Sequence, residues 1–272
     1  MRNRGVVKIG VQTLLVFILS LLIWSCGGKR GSEGDKTQPE SNKIEMEVMS
    51  EGKTLLAKVL KAHGGDKYGS AHFQFVFREN DYTFKNDGVH FEYRKTFKKD
   101  GKEIIDRYSD KLFERHVEGE LVDLSDKEKS AYSNSLNSVI YFATLPHKLL
   151  DPAVNIQFIG NTEMKGQGYE MLSVTFGQEG GGKDHDDEYL YWINSDSKRI
   201  DFLAYNYTVN NGGVRFRSAY NTRNIDGIIF QDYVNYKVVV GTPLKELLGL
   251  FAMDKLEKLS VIETEKVINL KK

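Results

Sequence analysis

Residues 72–77, His72-Phe73-Gln74-Phe75-Val76-Phe77, put Phe73, Phe75 and Phe77 on one side of an extended chain and His72, Gln74 and Val76 on the other. That period of two is the signature of a strand with one face against a core. Immediately upstream the period is different. Leu55, Leu56, Val59, Leu60 and His63 recur at steps of three and four, and Gly64-Gly65 supplies a stop, which predicts a helix from about Glu51. Downstream, strand-like runs at 88–97, 102–109 and 111–117 are joined by Asn86-Asp87-Gly88 and Asp100-Gly101, short turns whose residues accept positive φ. Consecutive hairpins of this kind build an antiparallel meander.

The meander is interrupted at 125–143. Ser125 and Glu128 have the spacing of a capping box, and Leu136, Val139, Ile140 and Phe142 give the helix an apolar side. Pro146 and Pro152 bracket a loop, and strand-like runs resume at 154–160, 168–176, 187–193, 199–209, 213–223 and 227–240. A short helix at 243–253 and a strand at 258–263 complete the pattern. The expected class is α+β: one strongly curved antiparallel sheet, an incomplete barrel, with a few helices packed in or across its concave face.

Composition narrows the function classes. The chain has 272 residues, 40% of them apolar, enough to bury a sizeable core. Its 38 Lys and Arg balance 38 Asp and Glu, so no basic surplus argues for nucleic acid. A single Cys excludes an internal disulfide and a thiolate metal cluster. No Gly-x-Ser-x-Gly elbow and no phosphate-binding Gly-rich loop occurs.

That Cys has a telling position. Arg2, Arg4 and Lys8 precede an apolar run at 14–24 broken only by Ser20, which is short for a membrane span and suits a signal peptide. The run ends at Ile23-Trp24-Ser25-Cys26-Gly27, which resembles a bacterial lipobox, with Trp24 bulkier than usual. The resemblance implies cleavage before Cys26 and acylation there, palmitate included, giving a membrane anchor through lipid. Losing Arg2, Arg4 and Lys8 would leave 35 basic against 38 acidic side chains, a mildly acidic mature protein. The expected organisation is a signal peptide at 1–25, a polar tether at 26–50 and a single α+β domain at 51–272. Gly27-Gly28-Lys29-Arg30 after the Cys contains no acidic run, which favours a periplasm-facing anchor in the bacterial cell envelope.

The order of elements, a helix ending His63-Gly64-Gly65, paired strands, an interrupting helix and more strands, resembles the lipoprotein-carrier superfold, a half-barrel closed by helices. Segments 145–149 (LPHKL), 180–192 (GGGKDHDDEYLYW), 201–205 (DFLAY), 212–221 (GGVRFRSAYN) and 232–236 (DYVNY) resemble a family of uncharacterised envelope lipoproteins from the Bacteroidota. The carrier resemblance implies a partner that is a lipid, an acyl chain or a lipoprotein, and no cofactor.

Three sets of residues are candidates for chemistry. The aromatic positions Phe73, Phe75, Phe77, Tyr191, Tyr205 and Tyr207 form either a filled core or the lining of an apolar ligand cleft. Asp184, Asp186 and Asp187 are oxygen ligands in a Gly-rich stretch, an alternative metal site, although their spacing is not that of an EF-hand and a solvated turn is the plainer alternative. Arg215 and Arg217 share one strand face and form either an ion-pair network with Asp187 and Glu188 or a clamp for a carboxylate or phosphate. With His185 and Asp187 they would make the acid/base cluster of an envelope hydrolase, the enzymatic alternative. A non-catalytic scaffold is the third reading. His63 is expected to close its helix as a partly cationic cap.

Overall fold

The computed structural model describes residues 40–177, 187–208 and 212–271. Its fourteen described strands form two antiparallel sheets of seven, accompanied by three α-helices. The class is α+β as expected, but the single strongly curved sheet is not found: the strands before the interrupting helix form one sheet with the last described strand, and the remaining strands form the second.

Helix α1 (Glu40–His63) begins upstream of the expected Glu51 and buries Leu55, Leu56, Val59 and His63, the stripe read from the sequence. It lies on β7 (Val154–Met164) at very short range, because a Cβ at Gly52 would stand 3.0 Å from Phe158 N and 3.1 Å from Ile156 O. Gly64 stops the helix with φ 138°, a conformation that L side chains rarely adopt.

A 3-10 turn at Gly65–Ser70 leads into the first sheet. Strands β1 (His72–Phe77), β2 (Asn80–Asp87), β3 (His90–Lys99), β4 (Lys102–Ser109), β5 (Leu112–Val117) and β6 (Glu120–Leu121) follow one another as the predicted meander. Of these, β2 and the short β6 lie outside the expected runs. Helix α2 (Asp126–Ala143) then starts on the predicted capping box: Ser125 Oγ accepts from Glu128 N–H, and Ser125 N–H donates to the Glu128 carboxylate at 3.0 Å.

The second sheet contains β7, β8 (Gln167–Phe176), β9 (Tyr189–Asn194), β10 (Ile200–Tyr207), β11 (Gly213–Ile225), β12 (Ile228–Val238) and β13 (Glu257–Ile262). Between β12 and β13, α3 (Leu247–Ala252) covers a face formed by Trp192, Phe202 and Phe216. The last strand, β14 (Glu265–Asn269), was not in the expected set; it crosses over and pairs with β1, Phe73 opposite Asn269.

The reason for two sheets lies in α2. One part of it, Leu136 and Ile140, packs with Phe73, Phe75, Phe84 and Tyr93 of the first sheet. Tyr141 and Phe142 pack with Tyr189, Tyr205 and neighbours on the second. A helix apolar on two sides takes a position between two layers rather than on the hollow of one. The layers also meet directly, where Phe230 of β12 lies against Phe73 at 5.4 Å and Phe84 at 6.5 Å.

The β13–β14 crossing is held by a buried ion pair. Arg223 donates from Nη1 to Asp232 Oδ2 at 2.5 Å and from Nη2 to Oδ1 at 2.9 Å. The same carboxylate accepts from Asn221 Nδ2 and from the N–H of Thr264, the residue at the crossing. Burial raises the Asp232 carboxyl, but these hydrogen bonds outweigh it and hold the group below the usual carboxylate range.

His63 is not a cationic cap. It is 1% exposed, and its Nε2 accepts from the N–H of Ile200 at 3.2 Å, so the ring is neutral. Burial, helped by the Arg199 charge, lowers it to about 3.

Candidate functional site

Helix α2 leaves a cavity on each flank. The first, about 250 Å³, lies toward the loop after α2 and is lined by Phe91, Tyr108, Tyr141, Phe142, Phe176 and Tyr189, with Lys111, Asn134, Asn137, Ser138, Lys148 and Asp151 as its polar positions. Lys148 Nζ sits 5.1 Å from the Tyr93 ring centroid and 5.4 Å from that of Phe91. Burial lowers the Lys148 ammonium, partly opposed by Asp151. Next to it His147 stacks on Tyr68 at 5.0 Å and is lowered to about 4 by burial and by the Lys148 charge.

The second cavity, about 200 Å³, lies where the end of β1, α2, β11, β12 and the β13–β14 crossing converge. Phe77, Val139, Phe142, Ala143, Tyr233 and Ile262 make its apolar wall. Arg217, Gln231, Asn235 and Thr264 supply polar groups, and Arg78 stands at the exposed rim with its guanidinium 5.1 Å from the Phe77 ring.

The expected cleft residues divide between these surroundings and the core. Phe73 and Phe75, 2% and 0% exposed, are core and line neither cavity. Phe77, one step further along the same face, lines the second. Tyr191 is fully buried, its hydroxyl 2.9 Å from that of Tyr141, and burial raises it well above its ordinary value. Tyr205 stacks on Tyr189 at 5.3 Å and lies beside Phe142. Tyr207 accepts from Arg215 Nη2 at 2.5 Å.

Arg215 is thereby held at Tyr207 and the Val214 carbonyl, while Arg217 turns to Tyr205 and the cavity. Neither is in an ion pair with Glu188, which accepts from Asn206 Nδ2 instead. Asp187 is buried just before β9. Asp184, His185, Asp186 and Cys26, on which the metal, hydrolase and lipidation readings turn, lie outside the described residues. Among the described residues no group of three or more His, Cys, Asp or Glu side chains is placed to hold a metal. Nor is any described helix long and apolar enough to cross a membrane.

Sequence reasoning passed over Lys148, Gln231, Asn235 and the cavity face of α2. For the helix a signal exists: Asn134, Asn137, Ser138 and Tyr141 follow the spacing of one helical face. For single polar residues on strands no local pattern distinguishes a cavity from solvent.

The fold and cavities define an α+β protein with a helix between two antiparallel sheets. The chain belongs to a family of unknown function, DUF6503, which matches residues 81–264. No curated protein matches it. Among solved structures, a DUF1329 family protein from Desulfovibrio piger is similar at 12% identity, with 82% of this chain and 94% of that chain covered and a TM-score of 0.40. A LolA superfamily protein from Nitrosomonas europaea is similar at 11% identity, with 81% and 94% covered and a TM-score of 0.43. The lipoprotein LppX from Mycobacterium tuberculosis is similar at 14% identity, with 59% and 90% covered and a TM-score of 0.27. Likenesses at these values carry no functional conclusion.

Proposed function

We propose that this chain is an envelope lipoprotein, anchored through acylated Cys26, whose domain at 51–272 binds an acyl chain or another hydrophobic ligand beside α2. The observation that carries the reading is the pair of aromatic-lined cavities left where α2 separates the sheets. Small-molecule sites are typically mostly apolar hollows with a few placed polar groups; the second cavity has that make-up, and the first combines its aromatic wall with a larger polar share. Residues 26–50 would connect the anchor to the domain, 40–50 of them as the first part of α1, and the periplasm-facing orientation follows the charge after Cys26.

The ligand is tested by native mass spectrometry of protein prepared without detergent, together with titration of a dansyl-labelled fatty acid. Co-purified lipid, or saturable binding blocked by Ser138→Trp, is the expected result. Absence of both sinks the reading. Incorporation of labelled palmitate into the natural chain but not into Cys26→Ser tests the anchor separately.

A further inference from the structure

The second cavity has a charge character of its own. Among its lining residues the charged side chains are Arg78 and Arg217, and none is a carboxylate. Arg217 is 7% exposed. Its Nη2 donates to the Tyr205 hydroxyl at 2.9 Å, and its guanidinium carbon lies 3.7 Å from the Phe142 ring centroid. Its Nε and Nη1 have no hydrogen-bond partner among the described residues. Opposite it on β12, Asn235 Oδ1 is also buried without a partner among the described residues.

A guanidinium out of water with unused donors is unfavourable, and folded chains ordinarily answer it with an anion. This chain does so elsewhere. Arg115 makes two hydrogen bonds to Asp106, at 2.6 and 2.8 Å, and Arg223 makes two to Asp232. Arg217 is comparably buried, yet it has an aromatic ring, a phenol and a cavity where those two have a carboxylate. Low-dielectric walls around two cations of one sign concentrate a positive potential in that hollow.

We propose that the second cavity binds the anionic head group, carboxylate or phosphate, of an amphiphile. Arg217 supplies the charge-assisted donors that hold the head oxygens. Asn235 Oδ1 accepts from a head-group hydroxyl where one is present, and Arg78 draws the anion in from the rim. Phe77, Val139 and Ile262 contact the first methylenes. A volume of about 200 Å³ is below the several hundred Å³ of a site that encloses a whole drug-sized ligand, so it holds the head and the start of the tail. This rests on the hydrophobic-ligand reading and adds the sign of the charge.

The test uses the delipidated protein and four probes that displace a neutral fluorescent reporter: dodecanoate, dodecyl phosphate, dodecanol and inorganic phosphate. Both anionic amphiphiles are expected to bind about tenfold to hundredfold more tightly than dodecanol, the range for hydrogen bonds to a charged group. Arg217→Met should abolish that preference, and Arg78→Ala should reduce the preference in low salt. Equal affinity for dodecanoate and dodecanol in the natural protein overturns the head-group assignment but not the hydrophobic-ligand reading. Failure of all four probes overturns both. Inorganic phosphate binding as tightly as dodecyl phosphate overturns the amphiphile and leaves a free-anion site. The ligand-free melting temperature separates binding from folding: replacing an uncompensated buried cation by Met should leave it equal or higher, and a large fall would overturn the proposal by making Arg217 structural.

Discussion

Acid should weaken this fold through His63 well above the range in which carboxylates titrate. The ring is buried at the end of α1 and holds the Ile200 N–H as a neutral acceptor, with its proton affinity lowered to about 3. In the unfolded chain a histidine titrates near 6.5. The native pKa is the lower of the two, so the stabilisation is complete above pH 6.5 and is lost as pH falls toward 3, because only the unfolded state takes up the proton in that window. At pH 5 the loss from this one group is about 2 kcal/mol, which follows from 1.36 kcal/mol per pH unit over about 1.5 units. Urea unfolding at pH 8 and pH 5 measures it for the natural protein and for His63→Gln, whose amide oxygen also accepts but does not titrate. The natural protein should lose about 2 kcal/mol more than the variant between the two pH values. Identical losses would refute the reasoning, since every other titrating group is common to both.

Asp232→Asn removes the charge that Arg223 answers at the sheet crossing and should destabilise by about 3–5 kcal/mol, with faster hydrogen exchange in β13 and β14. In the natural protein this carboxyl's contribution should persist down to about pH 4 and fade below it, because its native pKa is lowered and the unfolded one lies near 3.9. Ser125→Ala takes away the side-chain half of the α2 cap and should lower Tm by about 2–4 °C in a thermal melt. Gly64→Ala forces a Cβ to within 3.1 Å of Gly227 O at φ 138°, and should cost about 1–3 kcal/mol in urea unfolding.

The parts of the fold legible in the sequence are those decided within a few residues. Ser125 and Glu128 announce the start of α2, Gly64-Gly65 the end of α1, and the Phe73-Phe75-Phe77 alternation the buried face of β1, because each depends on local geometry alone. The division into two sheets depends on contacts far apart in sequence, such as Phe73 with Phe230 and Thr264 with Asp232. A strand pattern carries no address for its partner. The candidate site divides in the same way. The shared face of Arg215 and Arg217 follows from the period of β11, whereas only tertiary packing sets Arg215 against Tyr207 and Arg217 against Phe142. His63 misled for a related reason: a helix terminus favours a cation only while water reaches it, and here a strand covers it.

The crossing at Thr264 bears on the order in which the molecule can assemble. Strand β14 pairs beside β1, and β13 pairs beside β12, so both sheets receive an edge from the same short stretch, Glu257–Asn269. Pairing Phe73 with Asn269 closes a loop that contains every other strand of both sheets, a contact that polymer statistics make slow. Until it closes, β1 offers an unpaired edge to other chains. Folding of this protein is therefore exposed to aggregation at β1 until β14 arrives, whereas the Arg223–Asp232 contact, nine residues apart within the β11–β12 hairpin, does not wait for that pairing.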